Sequence, residues 1–168
     1  MSTQIFLVLS AVFVLFTINS SITYGAPSSP VYTYNVTVKT SSAKFDDHNG
    51  KLKMSIMYRN GTKSNQEDIL LTPDDINIAR DRTYNSTIAS FAPLANITSV
   101  YLRWTLKSPY NPKYVFSKPS IYFDPIAISY KFFDPNLHST VIQSRRFCPP
   151  TSPVAIKHSD GANFFPCA

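Results

Sequence analysis

The sequence predicts an all-β protein, an antiparallel eight-stranded β-sandwich, and three observations predict it. Eight strand-like runs can be marked, and the longest of them alternate between apolar and polar residues. Turn-forming Asn-Gly, Pro and Asp residues separate them. No amphipathic pattern of helical period runs beyond about two turns, which removes the crossover helices that a parallel sheet needs. Few glycines and many Tyr, Phe and Thr agree with half-buried pleated surfaces.

Before the first strand lies a stretch without charge: the first basic residue is Lys39 and the first acid Asp46. Ile5 to Ile18 is almost wholly apolar. That matches the apolar region of a signal peptide and falls short of the roughly 20 residues of a spanning helix. Residues 1–25 are therefore read as a secretory signal, with Thr23 and Gly25 as the small residues at the cut and Ala26 as the new terminus. An uncleaved membrane anchor is the alternative. Residues 26–168 then form one domain, and its charge is +6 because all 16 basic and 10 acidic residues lie beyond Gly25. A chain of that size buries about two-thirds of its unfolded surface and can hold a core.

The first run, residues 31–40, places Tyr32, Tyr34, Val36 and Val38 on one face and Thr33, Asn35, Thr37 and Lys39 on the other. The second alternates Leu52, Met54, Ile56 and Tyr58 with Lys51, Lys53, Ser55 and Met57, between Asn49-Gly50 and Asn60-Gly61. Both dipeptides are read as turns, because Asn and Gly tolerate positive φ. A third run covers Asp68 to Leu71 and a fourth Thr83 to Phe91. The fifth, residues 97–106, points Val100, Leu102, Trp104 and Leu106 one way, and the lone tryptophan is the expected centre of the core. The sixth, residues 119–132, contains Pro125, which cannot donate to a ladder and implies an edge or a bulge. Residues 139–148 and a stub from Asn163 to Cys167 complete the eight.

Three stretches resemble the C-terminal β-sandwich of pancreatic-type and lipoprotein-type lipases, a PLAT (lipoxygenase-homology) domain. They are TYNVTVKT as the first strand, ITSVYLRWTLKS with its basic-then-Trp step, and FCPPTSPVAIKHSDGANFFPC with its closing cysteine pair. The resemblance spans most of residues 31–167 and implies a PLAT-type sandwich that binds without catalysing. It also departs from those lipases: a signal peptide, not a hydrolase domain, is expected to precede the sandwich.

The residues themselves point the same way. Beyond the signal the glycines are Gly50, Gly61 and Gly161, so neither a G-x-S-x-G nucleophile elbow nor a glycine-rich phosphate loop can be written. Cys148 and Cys167 are the only cysteines, and in an exported chain an even pair is expected to form a disulfide, with no catalytic thiol. Beyond the expected signal, four N-x-S/T sequons, at Asn35, Asn60, Asn85 and Asn96, are candidate glycosylation sites. His48, His138 and His158 show no metal-ligand spacing and are expected in surface loops, while Asp46-Asp47 and Asp74-Asp75 are read as solvated turns, with a weak calcium site, which the PLAT resemblance implies, as the alternative. No metal and no cofactor are expected.

Lys107 to Lys118 interleaves Tyr110, Tyr114, Val115 and Phe116 with basic residues in a proline-stiffened loop. Tyr110, Lys113, Tyr114, Phe116 and Lys118 are the candidate lipid- or partner-binding residues, since aromatic rings suit an interface and each lysine adds about 1 kcal/mol near an anionic surface. In the lipases the matching loop is tryptophan-rich. The alternative is that Val115 and Phe116 begin a strand and pack inward. Arg145 and Arg146, adjacent on a strand, must point to opposite faces.

The reading that follows is a secreted, glycosylated, monomeric, non-enzymatic domain that engages a lipid surface or an extracellular protein. For an exported basic protein, sulfated glycans and acidic partners are more natural counterparts than nucleic acid. An accessory subunit or fragment acting with a separate hydrolase, and an extracellular structural or toxin-like scaffold, are the alternatives.

Overall fold

A computed structural model describes residues 30–114 and 117–168. The expected signal segment, residues 1–25, lies outside the described residues. Eleven strands are present among the described residues: β1 (Tyr32–Lys39), β2 (His48–Asn60), β3 (Lys63–Leu70), β4 (Ile76–Ile78), β5 (Thr83–Ser90), β6 (Ile97–Leu106), β7 (Ser120–Phe123), β8 (Ile126–Asp134), β9 (Ser139–Cys148), β10 (Val154–Lys157) and β11 (Gly161–Pro166). The all-β class holds, with eleven strands where eight were expected. The sixth run divides at Asp124-Pro125 into β7 and β8, and the short β4 and β10 had no alternation to reveal them.

All pairings are antiparallel, and one path of hydrogen-bonded neighbours runs β3-β2-β6-β11-β9-β8-β1-β5, with β4 added to β2. The strand that makes this path continuous is β11. Gly161 to Phe164 pair with β6, and Phe165 and Pro166 pair with β9, so one short strand belongs first to one layer and then to the other. The path nearly closes into a barrel. Its two outer strands, β3 and β5, meet through side chains instead of a ladder: the Ser86 hydroxyl donates to the Leu71 carbonyl at 2.6 Å, and the Phe91 N–H donates to the Glu67 carboxylate at 3.0 Å. A separate ribbon, β7 with β10, covers one end and is tied to the sheet by a bridge between Thr40 and Phe123.

The core is the one that the alternation specified. Tyr34, Val36 and Val38 of β1, Leu52, Met54 and Ile56 of β2, and Val100, Leu102 and Trp104 of β6 are all fully buried. Trp104 sits at the centre, and its indole N–H donates to the Ile156 carbonyl at 2.7 Å, which keeps its one polar atom satisfied. Cys148 and Cys167 are bonded, joining the end of β9 to the residue after β11.

Two expectations are corrected. Asn49-Gly50 is not a turn but lies inside β2, where Gly50 pairs with both Ile76 and Leu106. The backbone of Thr105 comes so close that a Cβ at Gly50 would overlap its carbonyl. Asn60-Gly61 is the turn, and Gly61 has φ +60°. The second correction concerns the histidines: only His138 lies in an exposed turn, whereas His48 and His158 are buried on either side of Trp104. His48 stacks on the indole at 5.7 Å and His158 meets it edge-on at 5.7 Å. An imidazole is flat and largely apolar on its faces, so it can extend an aromatic core when its nitrogens find partners.

Candidate functional site

The strand directions define two ends. The end holding Lys39, Thr40 and the residues after Leu106 carries the aromatic loop singled out from the sequence. Tyr110 stands clear of the protein, 93% exposed. Tyr114 behaves differently: it closes a single 3-10 turn (Pro112–Tyr114), is half-buried, and sets its ring edge-on to His48 at 5.9 Å. Lys118 is exposed; the side chain of Lys113, together with Val115 and Phe116, lies outside the described residues. Beneath the loop is an open pocket of about 490 Å³ lined by Phe45, His48, Tyr114 and Tyr122. The structure thus separates the loop into an exposed ring and one that seals the core.

The opposite end was not singled out from the sequence. Tyr32 pairs with Ser90, which sets Val31 beside Phe91 where β1 starts and β5 finishes. Asn35 pairs with Ser129, so antiparallel β8 runs back past the start of β1 and turns into β9 at the same end. Its hairpin carries Phe133 and Leu137, and β9 adds Ile142; these three, Val31 and Phe91 are all more than half exposed. Behind them the inward-facing rings of Tyr32, Tyr34, Tyr130 and Phe132 pack in sequence, with neighbouring centroids 5.2–6.4 Å apart. The hairpin is therefore backed by an aromatic ladder. Lys131 lies directly across from Ile142, and Arg59 and Lys63 flank the β2–β3 turn at this end. The signal available in the sequence was apolar residues on the solvent parity of β8 and β9, where the alternation of Ile126 and Ile128 should have left polar ones.

Other predicted residues take up defined places. Arg145 and Arg146 do face opposite ways. Arg145 reaches the stretch before β6 and donates to the carbonyls of Leu94, Ala95 and Ile97 at 2.9–3.1 Å, with its guanidinium 5.6 Å from the Phe147 ring centre. It is a structural clamp, while Arg146 is exposed. The side chains of Asn35, Asn60, Asn85 and Asn96 are all exposed. Two of these sequons lie opposite each other on β1 and β5: the Thr37 hydroxyl donates to Asn85 Oδ1 at 2.9 Å, and the Thr87 hydroxyl to Asn35 Oδ1 at 3.2 Å.

No family model matches the chain. No curated protein matches it either. Among solved structures it is similar to the delta413-417:GS LOX, a lipoxygenase, in complex with arachidonate: 13% identity, 82% of this chain and 17% of that one, TM-score 0.52. A second crystal structure of the delta413-417:GS LOX gives a TM-score of 0.51 at the same identity and over the same shares. This chain spans about one-sixth of those proteins, and the likeness is one of fold. It supports the all-β sandwich fold.

Proposed function

We propose that this protein is a secreted, non-catalytic PLAT-like binding domain that docks on lipid surfaces through the end formed by Val31, Phe91 and the β8–β9 hairpin. One observation carries the reading: five large apolar side chains, Phe133 and Ile142 on β8 and β9, Leu137 in their hairpin, and Val31 and Phe91 just beyond the paired ends of β1 and β5, are exposed at one end. Scattered exposed leucines are ordinary on a protein surface, but a contiguous apolar group marks an interaction site. Lys131, Arg59 and Lys63 beside it would add attraction to anionic headgroups. The rival site, the loop with Tyr110, lies at the other end, so a flat membrane cannot engage both.

Flotation of the purified protein with phosphatidylglycerol-containing vesicles tests this. Phe133→Ser, Leu137→Ser and Ile142→Ser together are expected to weaken vesicle binding at least tenfold, because burying such side chains is worth about 1.5–3 kcal/mol each when complete. Tyr110→Ser is expected to leave it unchanged. Undiminished binding in the triple variant would refute the assignment of this end, and ester hydrolysis by the purified protein would refute the non-catalytic reading.

A further inference from the structure

The outer face of β3-β2-β6-β11 forms an open groove of about 760 Å³. Its floor is a regular grid set by strand register. In one row Leu70, Lys53, Arg103 and Gly161 are successive neighbours, and in the next Asp68, Ser55, Tyr101 and Asn163. The alternating residues of β2 and β6 are buried in the core, so these side chains point away from it.

Lys53 and Arg103 are directly opposed on adjacent central strands. Like charges in that relation destabilise a sheet. Among the described residues neither forms a salt bridge. The nearby Asp68 accepts from the Ser55 hydroxyl at 2.5 Å and the Gln66 amide at 2.8 Å, two bonds to the same oxygen that, with a lesser contribution from the Arg103 charge, hold its carboxyl below the usual carboxylate range. Asp68 is thus an ionised acceptor fixed in the next row. Tyr101 lies on the backbone of Gly161, where any Cβ would strike its ring.

We propose that this groove binds an acidic oligosaccharide. Lys53 and Arg103 take the sugar's carboxylate or sulfate; Asp68, Gln66 and Asn163 meet its hydroxyls; and the Tyr101 ring carries the apolar face of a pyranose. A guanidinium offers paired donors that match a planar anion, and an ammonium adds a point charge. The volume falls within the range of small-ligand sites. An acidic glycan suits this place better than a headgroup in a bilayer, because the groove lies on the flat of the sheet while the apolar residues are at its end. The proposal is independent of lipid docking.

Calorimetric titration of the intact protein with a heparin tetrasaccharide and with tetragalacturonate tests it, with neutral cellotetraose as the control. At least one acidic tetramer should bind, and cellotetraose at least tenfold more weakly. K53Q/R103Q and, separately, Tyr101→Ala should each weaken that binding tenfold or more, whereas K107Q/K118Q and vesicle flotation of K53Q/R103Q should match the parent. A second readout does not require ligand: K53Q alone should raise the denaturation midpoint at low salt, and the gain should shrink as salt screens the repulsion. The proposal is overturned if neither acidic tetramer binds, if the neutral one binds as well, if K53Q/R103Q binds undiminished, or if K107Q/K118Q loses as much.

Discussion

At the scale of single residues, two buried polar groups decide local stability. The Tyr34 hydroxyl donates to the Ala92 carbonyl at 2.6 Å in a fully buried setting, and desolvation is the largest reason that its pKa is pushed up. Tyr34→Phe leaves that carbonyl without its donor and is expected to cost about 1–2 kcal/mol in urea denaturation. His158 accepts the Leu106 N–H on Nδ1 at 3.1 Å, so the neutral ring is the one that fits. Desolvation, then the nearby Lys118, lowers its pKa. A base with a lowered folded pKa binds fewer protons in the folded state, so stability is fully present above the unfolded value near 6.5 and falls with pH below it. Urea midpoints at pH 7.5 and pH 5 should show this loss, and His158→Asn should flatten it. His48 shares the parity of Leu52 and Met54, but reading Asn49-Gly50 as a turn cut it off from that run, and His158 follows a four-residue strand too short to show a period of two.

At the scale of elements, the same dipeptide serves two ends. Asn60-Gly61 makes a turn because Gly61 needs positive φ, whereas Gly50 is needed inside β2 for lack of a side chain against the Thr105 carbonyl. Gly50→Ala is expected to force β2 and β6 apart and lower stability by about 1–3 kcal/mol, measured by thermal unfolding; Gly61→Ala meets no neighbour and is strained only by its backbone. The sequence reading located β1, β5, β6 and β9 closely, and for β1 and β6 the reason is an alternation that puts one face in the core. It missed β4 and β10, three and four residues long, because so few positions cannot show a period of two. For the candidate lipid site, the loop drew attention by composition, while the hairpin tip did not: Phe133, Leu137 and Ile142 are separated in sequence and gain meaning only when the strands pair.

At the scale of the whole molecule, the junction of the two layers rests on β11 and the disulfide next to it. Cys148 and Cys167 enclose the segment that contains β10 and β11, with a sequence separation of 19. Replacing both by serine is expected to cost about 3 kcal/mol through the freedom returned to the unfolded chain, and should appear as a lowered denaturation midpoint that reductant no longer changes. The seam between β3 and β5, held by Glu67 and Ser86, gives the barrel a place to open that the disulfide does not guard.

The order of residues alone determined that the chain is all-β, which side chains face the core, that Trp104 is its centre and that two cysteines are available to close it. These follow from a period of two and from side-chain chemistry, which are local properties. Only the tertiary structure decided that one short strand joins both layers, that Lys53 meets Arg103 on an open face, and that five apolar residues from four strands and their connections gather at one end. Each of these depends on which strands become neighbours and in what register, and that choice is made by long-range pairing that no window of sequence contains.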